Sequence, residues 1–102
     1  MHYLKCRWLH QDPDEPIVLY HEIDDERWEL RKIEVYATGI KAYASEKEQT
    51  LCFLSETKIP NLDEINADKQ FEAVETSKAE FEKAWSTRTN LDTVDPDKTW
   101  LG

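Results

Sequence analysis

Residues 17–37, IVLYHEIDDERWELRKIEVYA, decide the fold. Ile17, Leu19 and Ile23 share one face of an alternating run, the period-two mark of a half-buried strand. Asp24-Asp25 is a turn pair. Arg27 to Ala37 then reads as a second, longer strand. Its apolar positions change phase, with Trp28 and Leu30 even and Ile33 and Val35 odd. A bulge is therefore expected near Arg31-Lys32, because one extra residue exchanges the two faces. Arg27, Arg31 and Lys32 interleave with Glu26, Glu29 and Glu34, which reads as ion pairs on an exposed face, each worth on the order of 0–1 kcal/mol.

The pattern extends in both directions. Upstream, His2 to His10 alternates, with Leu4, Cys6 and Trp8 on one face and Tyr3, Lys5, Arg7 and Leu9 on the other. The segment Gln11-Asp12-Pro13-Asp14-Glu15-Pro16 breaks it as a turn or rigid loop. Downstream come a Thr38-Gly39 turn, a short strand Ile40 to Ala44, a charged loop Glu46 to Gln49, and a further strand Thr50 to Leu54. Short strands joined by short turns predict an antiparallel meander of about four to five strands.

The second half changes character. Asn61 is a candidate N-cap for a short helical turn, Leu62 to Ala67, behind Pro60. Phe71 to Thr76 is ambiguous, and a short extended segment is one reading. Ser77 and Glu80 form a capping box, followed by Phe81, Ala84 and Trp85 at i, i+3 and i+4. This main helix should cover one sheet face and leave the other partly open, an α+β architecture. Trp8, Trp28 and Trp85 lie on periodic apolar faces and read as core, whereas nothing periodic surrounds Trp100. Residues 1–102 read as a single domain, with 1–85 its core and 86–102 an extended C-terminal tail that Trp100-Leu101 could dock.

Composition narrows the function. The chain has 102 residues and 12.1 kDa, with 22 acidic against 13 basic residues and a net charge of −9. That balance argues against nucleic acid, whose phosphates demand a cationic surface, and against an anionic membrane. Neither a signal peptide nor a membrane span is visible, so the expected location is cytoplasmic. Cys6 and Cys52 lack metal-type spacing and read as buried small hydrophobes. With only two glycines there is no phosphate loop, and no nucleophile elbow is present.

Two acidic clusters are the candidate sites. His10, Asp12, Asp14 and Glu15 have the residue types of a divalent-metal or acid–base site, but a calcium loop needs a central Gly where this one has Pro. The bland alternative is a solvated turn. His21, Glu22, Asp24 and Asp25 form the second cluster, leading into Arg27-Trp28. It reads either as a carboxylate-rich surface for a basic partner or as ordinary surface charge. Asp12, Asp14, Glu15, Glu22, Asp24, Asp25 and Trp28 are the expected partner-binding residues. No catalytic residue, metal ligand or cofactor is expected.

The segments Trp8-Leu9-His10, Asp12-Pro13-Asp14-Glu15-Pro16, Leu19 to Asp25 and Arg31 to Val35 resemble a family of small acidic bacterial proteins catalogued as a domain of unknown function. The resemblance continues through Gly39, Tyr43-Ala44, Ile59-Pro60, Leu62 to Ile65, Ala67-Asp68 and Ser77 to Trp85. It implies no catalytic residues. It carries an association with the immunity proteins of bacterial toxin systems. The leading expectation is a non-catalytic binding protein that neutralises a basic, nuclease-type toxin by occlusion. The alternatives are a small metal-dependent or acid–base enzyme built on His10, Asp12, Asp14 and Glu15, and a generic cytosolic interaction module.

Overall fold

Five strands follow one another as the alternation requires: β1 (His2–Trp8), β2 (Val18–Ile23), β3 (Glu29–Val35), β4 (Lys41–Ser45) and β5 (Gln49–Thr50). Each pairs antiparallel with the next. The computed structural model describes residues 1–50 and 52–88. A further strand, β6 (Phe71–Glu75), pairs antiparallel with β1, giving the order β5-β4-β3-β2-β1-β6. Among the described residues, the expected meander of four to five strands is thus extended to six by the ambiguous segment. The strand expected over Thr50 to Leu54 is not matched over Cys52 to Leu54, and among the described residues Gln49 and Thr50 are the ones that pair with β4.

The chain leaves β5 at one edge and must reach β6 at the other. Residues 52–68 make that journey as a strap across one sheet face. Cys52 packs on Ala42 and Ala44 of β4. The Ser55 amide donates to Glu29 of β3 at 2.8 Å, and the Ile59 amide donates to the Arg27 carbonyl at 2.8 Å. The strap ends in α1 (Leu62–Ala67), whose N-cap Asn61 accepts from the Glu64 amide as its position predicted. The face expected to be partly open is therefore covered, with one cleft left beneath the strap.

The opposite face carries α2 (Lys78–Ser86), capped by Ser77, which accepts from the Glu80 amide at 3.0 Å. Its apolar stripe sets Phe81 and Ala84 on Ile33, with Tyr3, Tyr20, Val35 and Trp85 around them. Trp85 meets Tyr43 edge-on at 5.6 Å. Trp8 lies on the other face, against Phe71 at 5.8 Å, so these two tryptophans sit on opposite sides of the sheet. Trp100, Leu101 and the rest of the expected tail from residue 89 onward lie outside the described residues.

Three expectations are corrected. The register jumps from Glu22↔Arg31 to Ile23↔Glu29, which makes Leu30 the extra residue, one place before the expected Arg31-Lys32 bulge. Trp28 is not core: it precedes β3 and is 41% exposed, with the Lys58 ammonium 5.6 Å from its ring. The alternating charges of β3 do not lie on an exposed face. Both faces are covered, so Arg31 and Glu22 meet under α2 while Glu29, Lys32 and Glu34 meet under the strap.

The Asp24-Asp25 turn closes as expected, with the Asp24 amide donating to the Trp28 carbonyl at 2.9 Å. It places Arg27 at φ 74°, a conformation that side chains other than glycine rarely adopt. The Arg27 guanidinium compensates by donating to the carbonyls of Ile59 and Pro60, which ties the turn to the strap.

At the far edge, Asn66 of α1 binds both backbone groups of Ala73, accepting from its amide at 2.7 Å and donating to its carbonyl at 2.9 Å. An edge strand with free backbone groups is a template for pairing with another chain, and Asn66 occupies those groups. Asn66→Ala should lower stability by about 1–2 kcal/mol, from two hydrogen bonds of ordinary strength. Urea unfolding measures that loss, and amide exchange at Ala73 should quicken selectively.

Candidate functional site

The two acidic clusters lie at opposite ends of β2. In the first, the His10 imidazole accepts from the Asp12 amide through Nδ1 at 3.0 Å and contacts the Pro16 carbonyl through Nε2 at 2.7 Å. A ring protonated on Nε2 satisfies both contacts. His10 also stands edge-on to Trp8 at 4.5 Å. The Asp12 carboxylate accepts from the Asp14 amide at 2.9 Å, an Asx turn. His10 and Asp12 are therefore engaged in holding the loop, while the exposed Asp14 and Glu15 carboxylates face outward. Among the described residues, no group of three or more His, Cys, Asp and Glu side chains is placed to hold a metal ion.

The second cluster divides. Asp24 accepts from the amides of Glu26 and Trp28, both at 2.9 Å, and so shapes the turn. Asp25 is exposed and pairs with the N-terminal ammonium at 3.1 Å, which holds its carboxyl below the usual range. Glu22 is 7% exposed and is not displayed to solvent. Arg31 grips it through Nε at 2.7 Å and Nη2 at 2.8 Å, and Tyr3 adds its hydroxyl at 3.0 Å. Those bonds hold the Glu22 carboxyl below its ordinary value despite its burial. Arg31 also lies over the Phe81 and Trp85 rings and reaches Glu82.

His21, counted with this turn in the sequence, instead lies under the strap. Its Nδ1 meets the Glu29 carboxylate, whose side chain is fully buried. The other Glu29 oxygen takes the Ser55 amide, with the Lys32 ammonium at 3.7 Å. Burial pushes the Glu29 carboxyl up, but the hydrogen bond and charge of His21, with Lys32 and Ser55, bring it below its ordinary value. Lys32 also donates to the Phe53 carbonyl at 2.7 Å and stands 3.8 Å from Glu34. Burial raises the Glu34 pKa, and neither that ammonium nor the Tyr36 hydroxyl, which donates to Glu34 at 3.5 Å, offsets it. Burial likewise pushes the Cys6 thiol up, and the Cys52 thiol up to about 12. Both therefore stay protonated at neutral pH, the inert state of a thiol.

Beside this buried row lies a cleft of about 330 Å³. The sheet supplies Leu4, Cys6, Leu19 and His21, and the strap and α1 supply Ile59, Pro60 and Ile65. Phe71 completes the apolar wall, and Glu64 and Asp68 add carboxylates. Sequence reasoning missed this site because it depends on a strap that joins opposite sheet edges. The one local signal was the alternation of Leu19, His21 and Ile23, which puts His21 on the same face as Leu4 and Cys6.

A family model described as "Domain of unknown function (DUF6881)" matches residues 2–90. No curated protein and no solved structure matches the chain. Among the described residues, no helix is long and apolar enough to cross a membrane.

Proposed function

We propose that this chain, which belongs to the family described as "Domain of unknown function (DUF6881)", is a non-catalytic cytoplasmic binding protein that occludes a basic protein partner, in the manner of an immunity protein facing a nuclease-type toxin. The observation that carries this reading is the net charge of −9, much of it displayed on turns that no buried network consumes. A toxin that cuts nucleic acid is itself basic, because its substrate is a polyanion. An acidic inhibitor then gains in association rate, which steering can raise toward about 10⁸–10⁹ M⁻¹s⁻¹ at low salt. Exposed Asp14, Glu15, Asp25 and Glu26 lie at the two ends of β2, a strand of roughly 20 Å, so one interface of standard width spans both. Trp28 stands half-exposed beside the second turn, where an aromatic anchors a desolvated centre.

The decisive experiment isolates a partner from the source cell and measures association against ionic strength. Charge reversal at Asp14 and Glu15, or at Asp25 and Glu26, spares the turn-forming Asp12 and Asp24. Either pair should slow association several-fold and flatten its salt dependence, with dissociation nearly unchanged. Trp28→Ala should instead speed dissociation. A partner whose association ignores both reversals and ionic strength would refute the electrostatic reading.

A further inference from the structure

Residues 56–60 are the part of the strap that walls the cleft, through Ile59 and Pro60. They are fixed at both ends. On one side Glu29 holds the Ser55 amide, and on the other Asn66 holds α1 to β6. Between those points, among the described residues, every hydrogen bond from 56–60 to the sheet or its turns goes to Arg27. The Ile59 amide donates to the Arg27 carbonyl at 2.8 Å. Arg27 Nε donates to the Ile59 carbonyl at 3.1 Å, and Nη2 donates to the Pro60 carbonyl. One residue away on each side, the Lys58 ammonium lies 5.6 Å from the centre of the Trp28 ring.

Arginine is an unusual choice at this position. The Arg27 amide donates to the Asp24 carbonyl at 3.0 Å, and the Asp24 amide donates to the Trp28 carbonyl at 2.9 Å. This is a β-turn followed by one left-handed residue, a three-residue hairpin loop in which glycine normally takes the left-handed place. Among the described residues, Arg27 is the only non-glycine residue with a positive φ, at 74°. Its Cβ makes that backbone unfavourable by itself. Glycine would close the hairpin more easily, so what arginine adds is the three-point hold on the strap. The dependence runs both ways. The hold needs the Arg27 carbonyl and guanidinium to face the strap together, and rotation to a negative φ reorients both groups.

We propose that Arg27 is a conformational latch that couples the 24–28 turn to the 56–60 segment, so that the turn and the cleft wall open and close as one unit. Hinges of this kind are single residues that absorb a large change in φ and ψ. With Arg27 left-handed, the wall is seated on the sheet. With Arg27 relaxed, residues 56–60 lose all three bonds at once while their two ends stay attached. Asp25, Glu26 and Trp28 sit on this turn, so a partner seated there holds the wall shut. That consequence rests on the partner reading above, whereas the coupling stands or falls by itself.

The test is native-state amide exchange on the full chain, read at residue 24 for the turn, at Ile59 for the strap and along the β1–β2 ladder as a control. Asp24→Ala removes the carboxylate that accepts from the Glu26 and Trp28 amides and touches no strap atom. It should nevertheless speed exchange at Ile59 several-fold. Arg27→Gly should separate the two sites. The residue 24 amide should exchange no faster than in the parent, while Ile59 exchanges about 5–10-fold faster, the equivalent of one ordinary hydrogen bond. Arg27→Lys keeps the charge and the left-handed backbone but loses the planar fork, so it should speed exchange at both sites. Three results would overturn the proposal: Ile59 unmoved by Asp24→Ala, Ile59 unmoved by Arg27→Gly, or equal acceleration of the β1–β2 amides, which would mean a loss of global stability and no local latch.

Discussion

Phe81→Ala should lower the unfolding free energy by about 3–5 kcal/mol, the range for emptying a buried aromatic site. Phe81 is fully buried and is the largest such side chain among the described residues. It rests on Ile33, meets the Tyr3 ring at 5.4 Å and stacks parallel to Trp85 at 6.4 Å. The Arg31 guanidinium lies 4.8 Å from its centroid. Truncation therefore opens a cavity and also removes one of the aromatic surfaces under the guanidinium that holds Glu22. Against a typical total of about 5–15 kcal/mol, the variant should unfold at a much lower urea concentration with an unchanged slope. A loss below about 1 kcal/mol, typical of surface sites, would mean that α2 does not dock as described.

Glu29→Ala should cost about 3–5 kcal/mol, because removing one member of a buried ion network strands its partners. His21 and Lys32 would face a desolvated site with no carboxylate between them, and the Ser55 amide would lose its acceptor. The same network sets an acid limit. Glu29 and Glu22 both have folded pKa values below their ordinary ones. Their stabilisation is complete above the unfolded value, about 4.3, and is lost as pH falls through the depressed folded values. Glu34 works in the opposite sense. Burial raises its folded pKa, so its ionised form opposes folding at neutral pH and protonation relieves that strain on acidification. Urea midpoints followed from pH 7 to pH 3 should fall below about pH 4, and the Glu29 variant should show a shallower fall. Glu34→Gln should be neutral or stabilising at pH 7. A strong loss there would show that the Lys32–Glu34 pair outweighs its desolvation.

The readable parts of this chain were those governed by neighbours in sequence. Period-two alternation in 2–10 and 17–23, and the phase-shifted alternation of 27–37, placed three strands, and Asn61 and Ser77 placed both helix starts. Phe71 to Glu75 escaped because its partner, β1, lies at the other end of the chain, and nothing local demands the pairing. The bulge was legible as a phase change, but its position was not, since Leu30 and Arg31 are distinguished only by the register against Glu22. Glu22 was misjudged because Arg31 holds it beneath α2, away from solvent, and Glu29 and Lys32 for a different reason. A charged residue in a strand reads as solvent-facing when a single helix is available to cover the sheet, and here the strap covers the second face. Trp28 was misjudged because the alternation counted it into β3, whereas the hairpin closes on its backbone before the strand begins.

The strap also sets an order of events in folding. β1 through β5 pair with neighbours along the chain, so each hairpin closes a short loop at small entropic cost. The β1–β6 ladder joins residue 4 to residue 75 and can form only after the strap has crossed the sheet. The nucleus should therefore lie in the central hairpins, with β6 and α1 arriving late. Substitutions at Ala73 or Asn66 should then speed unfolding and leave the refolding rate nearly unchanged, whereas those at Ile33 should slow refolding. The last unit to close is also the first to open, so the strap region can detach transiently while the meander stays intact.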